Sequence, residues 1–213
     1  MSNIINQSQA KYINSFKRTE DPLINEMESF AKQHKVPILS WQSADMLEIL
    51  IKMMKPKRVL ELGTAIAYSS IRIARNLKKK GILHTIEKSK DNIAIAKENI
   101  KKASVGDKIE ILEGDALNIM PTLDKKYDFI FLDADKEDYK ALFDYSIVLL
   151  KKNGVIFVDN LLWHGYAAVK KVPANYRDSA RHIREFNEDF FSNKTLNSTL
   201  IPVGDGIGLG IKI

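Results

Sequence analysis

The order of apolar runs and amphipathic stretches predicts an α/β chain built on a doubly wound parallel sheet, with N-terminal helices before it and an antiparallel C-terminal hairpin after it. Three observations predict this. From residue 58 onward, short apolar runs of strand length alternate with stretches of helical period. The final stretch, TLIPVGDGIGLGIKI, places a Gly-Asp-Gly turn between two apolar runs. The length of 213 residues, with 45% hydrophobic and 28% charged residues, suits one domain with a full core. The expected organisation is a single unit over 1–213, with a helical preface over 1–56 and an α/β core over 57–213.

The elements follow in order. Asp21-Pro22 reads as a helix N-cap and first-turn proline, after which Leu23, Met27 and Phe30 recur at helical spacing. Val36-Pro37 interrupts that helix. A second helix runs from Ser43 to about Met54 and places Met46, Leu47, Leu50, Met53 and Met54 on one side, until Lys55-Pro56 ends it. Strands are expected at Arg58–Leu62, Ile82–Glu87, Lys108–Leu112, Asp128–Leu132 and Gly154–Asp159. Helices fit between them at Tyr68–Lys79, Asp91–Ala103 and Lys136–Leu150, with only a short turn over Leu117–Leu123 joining the third and fourth strands. Beyond the fifth strand, Asp178–Ser192 is helical, with Ile183, Phe186 and Phe190 as a buried stripe.

Composition narrows the function. There is no cysteine, which excludes a disulfide framework, a thiolate zinc site and a cysteine nucleophile. No apolar run approaches the roughly 20 residues that span a bilayer. The opening stretch, MSNIINQSQAKYINSF, has no basic segment leading into an apolar core, so no secretory signal is expected and a cytoplasmic location is the plain reading. The chain carries 33 Lys+Arg against 27 Asp+Glu, a net charge of +6, which favours a polyanionic partner without requiring one.

In an open parallel sheet, ligands bind beyond the carboxyl ends of the strands, where the strand order reverses. The first strand ends in Glu61-Leu62-Gly63, and the turn GTAIAYSS leads into a helix whose free N–H groups face the same side. Gly63 either lets the backbone pass close to a ligand or simply makes a tight turn. Glu87 ends the second strand 24 residues after Gly63, the spacing of a ribose-binding acid, although a helix-capping carboxylate would look the same. The third strand leads into Glu113-Gly114-Asp115-Ala116, where a second acid can meet an adenine amino group. The fourth and fifth strands end in Leu132-Asp133 and Val158-Asp159-Asn160. Neighbouring parallel strands end side by side, so Asp133, Asp159 and Asn160 can converge as hard oxygen donors for a Mg²⁺-type ion; the plainer alternative is that both aspartates cap the next segments. Lys136 follows within one turn.

These motifs carry a resemblance. VLELGTAIAYSS, HTIEK, EGDAL, FLDADKEDY, VDNLLWHG and IPVGDGI, with DPLINEMESFAKQHKVPIL upstream, resemble the cation-dependent O-methyltransferases of the catechol and caffeoyl-CoA type. The resemblance implies a class I S-adenosylmethionine-dependent methyltransferase fold (Rossmann-like) and a homodimer. It implies that Leu39 and Ser69 hold the methionine end of S-adenosyl-L-methionine, with Gly63 beneath it and Asp133 near it. Glu87 would bind the ribose, and Asp115 and Ala116 would flank the adenine. Asp133, Asp159 and Asn160 would hold Mg²⁺ or another divalent cation, and Lys136 would be the candidate base. Ala67 departs from the pattern, standing where relatives often have a second glycine. A narrower similarity, in GTAIAYSSIRIA, RDSARHIREFN and STLIPVGDGIGLGIKI, is to bacterial tRNA 5-hydroxyuridine methyltransferases. It implies a tRNA anticodon loop as substrate; Lys170, Lys171, Arg177, Arg181 and Arg184 follow the metal motif, where a phosphate backbone could approach, although a solvated helix face and an ordinary basic loop would look the same. The alternative acceptor is a small catechol or a caffeoyl-CoA-type phenol.

Overall fold

The computed structural model describes residues 7–18 and 20–213, so the first six residues of the opening stretch lie outside it. The element order is α1 (Gln7–Asn14), α2 (Pro22–His34), α3 (Trp41–Met54), β1 (Arg58–Leu62), α4 (Tyr68–Asn76), β2 (Ile82–Glu87), α5 (Lys90–Ala103), β3 (Ile109–Glu113), α6 (Ala116–Ile119), β4 (Tyr127–Leu132), α7 (Tyr139–Leu149), β5 (Leu150–Val158), α8 (Arg177–Ser192), β6 (Leu196–Ile201) and β7 (Ile207–Lys212). The strands form one sheet in the order β3-β2-β1-β4-β5-β7-β6. The first five are parallel, and β7 inserts antiparallel between β5 and β6. The order reverses between β1 and β4, as a doubly wound sheet requires.

Period-two alternation divides the core between the two faces of this sheet. Val59, Phe129, Phe131, Val155 and Phe157 face one way, onto α2, α3 and α4. Leu60, Leu62, Ile130, Leu132, Ile156 and Val158 face the other, onto α7 and α8. There the expected stripe of Ile183, Phe186 and Phe190 is fully buried, and Phe186 meets Tyr139 and Phe143 edge-on at 5.2 and 5.5 Å. The caps are also as expected: Asp21 accepts from the amides of Leu23 and Ile24 to start α2.

Several boundaries differ from the reading of the sequence, each for a local reason. The first helix, α1, was not foreseen; it has no buried residue, so no core stripe announces it. In α3 burial centres on Ala44, Leu47 and Ile51, whereas Met53 is 72% exposed because it is turned about 200° from Ile51. Helix α4 ends at Asn76, where Leu77 turns extended and buries itself, leaving Lys78, Lys79 and Lys80 in solvent. The stretch after Lys136 begins with a 3₁₀ turn over Lys136–Asp138 before α7. Strand β5 starts at Leu150 rather than Gly154: Lys151, Lys152 and Asn153 look like a turn, but the register slips between Tyr127 and Phe129 and accommodates them in the ladder.

Candidate active site

The carboxyl ends of the strands open into a cavity of about 920 Å³. Every candidate residue lines it: Leu39, Gly63, Ser69, Glu87, Asp115, Ala116, Asp133, Lys136, Asp159 and Asn160. The sheet itself explains the convergence. The amide of Asp133 donates to Leu62 O at 3.1 Å and that of Asp159 donates to Leu132 O at 3.2 Å, so both aspartates extend the ladder one step past the regular strands.

Along β1 to β3 the side chains are held by hydrogen bonds within the protein. Gly63 has φ +99°, and a Cβ there would lie 2.1 Å from Asp133 O; its neighbour is therefore the end of β4, which closes the space a side chain would need. Glu87 accepts from Ala65 N and from Ser89 N, both at 2.8 Å, so it does bind the start of the next helix, and each oxygen retains a second lone pair. Asp115 caps α6 by accepting from Leu117 N at 2.8 Å. Ala67, the departure from the glycine pattern, is buried at φ +68°, and Ala65 is at φ +45°; the turn takes left-handed backbone whether or not glycine supplies it.

The sequence reading passed over Glu61. It is fully buried and accepts hydrogen bonds from Ser69 Oγ at 2.5 Å, Thr85 Oγ1 at 2.6 Å and Ser70 Oγ. Burial raises its carboxyl to about 7 against these hydroxyls, with Asp133 adding to the rise. The signal was present: an acid inside the apolar run RVLEL has to face something polar.

Toward β4 and β5 the chemistry changes. Lys136 Nζ donates to Tyr139 OH at 2.6 Å, Ala134 O at 3.0 Å and Asp133 Oδ1 at 3.3 Å, and it lies 5.3 Å from the Trp163 ring. Tyr139, also unforeseen, is fully buried and passes the chain of hydrogen bonds on to Asp159 O. Asp159 Oδ1 is buried without a hydrogen-bond partner. Burial first, and then the Asp133 carboxylate, hold the Asp159 carboxyl well above its ordinary range. Asn160 adopts φ +65°, and its carboxamide hydrogen-bonds Asp205 in the Gly-Asp-Gly turn of the hairpin. Asp205 was read only as a turn residue, yet its carboxylate accepts the His164 amide at 2.7 and 2.9 Å.

Among the described residues no group of three or more His, Cys, Asp or Glu side chains is gathered to hold a metal. The donor set at the strand ends is two carboxylates and one carboxamide, and the orphaned buried oxygen of Asp159 is the feature a cation would satisfy. The five basic residues assigned to phosphates are not equivalent. Arg184 donates to Ala167 O, Tyr166 O and Val169 O, Arg177 to Val172 O, and Arg181 pairs with Glu185 and Asp178. These three arginines are engaged within the protein, which leaves Lys170 and Lys171 exposed.

A parallel sheet that reverses between β1 and β4, closed by an antiparallel β7, with an acid-lined cavity over that reversal, is the fold of the class I methyltransferases. The chain belongs to the O-methyltransferase family, which it matches over residues 14–213. It is 36% identical to a caffeoyl-CoA O-methyltransferase of Populus kitakamiensis over 171 residues, covering 76% of this chain and 73% of the relative. A Staphylococcus aureus protein proposed to be a caffeoyl-CoA O-methyltransferase superposes with a TM-score of 0.89 at 30% identity, covering 97% of this chain and all of that one. The O-methyltransferase TomG of Streptomyces achromogenes, solved in complex with SAM, superposes with a TM-score of 0.84 at 28% identity over 96% of each chain.

Proposed function

We propose that the cavity transfers a methyl group from S-adenosylmethionine to a hydroxyl oxygen, with a divalent cation such as Mg²⁺ held by Asp133, Asp159 and Asn160. The observation that carries the reading is the unpartnered, buried Oδ1 of Asp159 beside a second carboxylate at the β4 end. When bound, the cofactor supplies a methyl group on a sulfonium and the cation supplies positive charge for the acceptor oxygen. Leu39 and Ser69 hold the methionine end, Asp133 lies near it, Glu87 takes the ribose hydroxyls, and Asp115 and Ala116 flank the adenine. Because its hydroxyl proton already goes to Glu61, Ser69 meets a ligand ammonium as an acceptor. Lys136 with three acceptors is saturated as an ammonium. It is the candidate base, held at the β4 end by its contacts to Tyr139 and Ala134.

An acceptor with two adjacent oxygens suits this donor set. We infer that it is 5-hydroxyuridine at the tRNA wobble position, converted to 5-methoxyuridine. Support comes from the net charge of +6 and from exposed Lys170 and Lys171 on the segment after the Trp163 loop. The second reading, a catechol or caffeoyl-CoA-type phenol, is favoured by the names of the plant relatives. Nucleosides from tRNA of cells lacking the protein, analysed by mass spectrometry, separate the two. Loss of 5-methoxyuridine with build-up of 5-hydroxyuridine, reversed by purified protein with cofactor and Mg²⁺, is the expected result. Unchanged nucleosides, with turnover of catechol or caffeoyl-CoA by the same protein, would replace the tRNA reading with the second. A homodimer is proposed through the exposed Tyr12, Phe16, Ile49 and Met53 of the N-terminal region; light scattering would show a monomer if it is wrong.

A further inference from the structure

We propose that His164, Tyr166 and Tyr176, together with Lys170 and Lys171, form a stacking platform running outward from the mouth of the methyl-transfer cavity for a nucleotide that neighbours the acceptor in a single RNA strand. The inference deepens the tRNA reading and rests on it.

The rings form a continuous path out of the cavity. Trp163 and His164 line the cavity, whereas Tyr166 and Tyr176 stand beyond them. Trp163 and His164 have centroids 5.0 Å apart, His164 and Tyr176 5.7 Å, and His164 and Tyr166 6.3 Å. Tyr166 and Tyr176 lie 5.0 Å apart at 31°, close to stacked. His164 is exposed and the two tyrosines are half-buried, so none of the three belongs to either face of the hydrophobic core. Aromatic rings left at a cavity mouth in this way are costly to the free protein and useful to a planar ligand.

The segment carrying them is held open from a distance. Trp163, His164 and Gly165 all have positive φ, a backbone path that would not persist on local preference alone. Arg184 fixes it by donating to the carbonyls of Tyr166, Ala167 and Val169, Asp205 fixes it at the His164 amide, and Ser179 Oγ accepts from the Trp163 indole at 2.7 Å. His164 and Tyr166 are therefore pre-positioned, which lowers the ordering cost of binding. Charge completes the surface. With the arginines engaged, Lys170 and Lys171 are both exposed and in no ion pair among the described residues, one to two residues beyond the Arg184 clamp. Aromatic rings beside exposed lysines are the combination that binds single-stranded nucleic acid with little base preference.

The test is fluorescence anisotropy of a labelled anticodon stem-loop RNA with the full chain, Mg²⁺ and S-adenosylhomocysteine, alongside methylation of free 5-hydroxyuridine nucleoside. A Tyr166→Ala/Tyr176→Ala double variant is expected to bind the RNA about tenfold more weakly. The dependence of its affinity on salt should stay the same, and its rate on the nucleoside should stay within about twofold. Tyr166→Phe and Tyr176→Phe, which keep the rings, should bind as wild type does. Lys170→Ala/Lys171→Ala should instead flatten the salt slope by about 1.4. Unchanged RNA affinity in the tyrosine double variant, or equal loss on RNA and nucleoside, would overturn the platform. Wild type that binds no RNA would overturn it together with the tRNA reading. RNA binding that depends on the tyrosines without methylation of 5-hydroxyuridine would overturn the methylation reading alone.

Discussion

On one side of the cavity, Gly63, Glu87 and Asp115 stand where β1, β2 and β3 end, and their partners are backbone amides or carbonyls of the adjacent strand ends and turns. On the other side, Asn160, Trp163 and His164 stand on a segment with no strand or long helix of its own. That segment takes its shape from Arg184 on α8 and Asp205 in the β6–β7 turn. The first side is a consequence of sheet register; the second depends on side chains reaching in from outside the parallel strands. The difference teaches that the side proposed for the cofactor is fixed by the fold, while the side facing the acceptor can be reshaped by substitutions that leave the sheet alone.

The largest effect should come where the two sides meet. Asp159→Ala is expected to reduce methyl transfer by about a thousandfold or more while leaving cofactor affinity mostly intact, because it removes a proposed cation ligand and no contact of β1 to β3. Isothermal titration with S-adenosylhomocysteine checks the second half, and equal loss of both would make Asp159 a structural support. Glu61 probes the register side. Its folded pKa of about 7 lies above the ordinary 4.5, so the folded chain holds the extra proton. Stability from this group is therefore fully present below about pH 4.5 and is lost as pH rises to about 7, by roughly 3 kcal/mol at most. Glu61→Gln should flatten that slope in urea denaturation, since the hydroxyls of Ser69, Ser70 and Thr85 can rotate to suit an amide. An unchanged slope would place the titration elsewhere.

Arg184→Ala tests the other side. Releasing three carbonyls of the Trp163 loop should lower kcat/KM for the acceptor about tenfold with cofactor affinity unchanged. A change in cofactor affinity instead would show that the two sides are not separable. The smallest effect belongs to Ala67→Gly. Relief of left-handed backbone is opposed by unfolded-state entropy and by one lost buried methyl, so the net change should stay under about 0.5 kcal/mol by thermal denaturation.

The same division explains what the sequence made legible. Strand ends are set by short apolar runs of strand length, so Gly63, Glu87, Asp115, Asp133 and Asp159 were visible in order, and the structure gathers them at one cavity. Glu61 was visible as a letter but not as a buried acid, because the hydroxyls that satisfy it come from β2 and α4. Arg184 looked like one of a set of phosphate-binding cations; only the path of the loop shows that its donors are already used. Asp205 and Tyr139 likewise act on partners far away in sequence or across a strand, which no local pattern encodes.

The missing side chain at residue 63 has one more consequence. The position a Cβ would occupy there lies 2.1 Å from Asp133 O, so the end of β1 and the end of β4 are in direct register with each other. Anyone redesigning this pocket would find the two ends to be a single degree of freedom. A bulkier residue at 63 displaces the Asp133 backbone, and remodelling Asp133 removes the reason for a glycine. The spacing between Gly63 and the Asp133 end of β4 is thus a fixed dimension of the scaffold, and the shape of the cavity has to be tuned from the loop opposite.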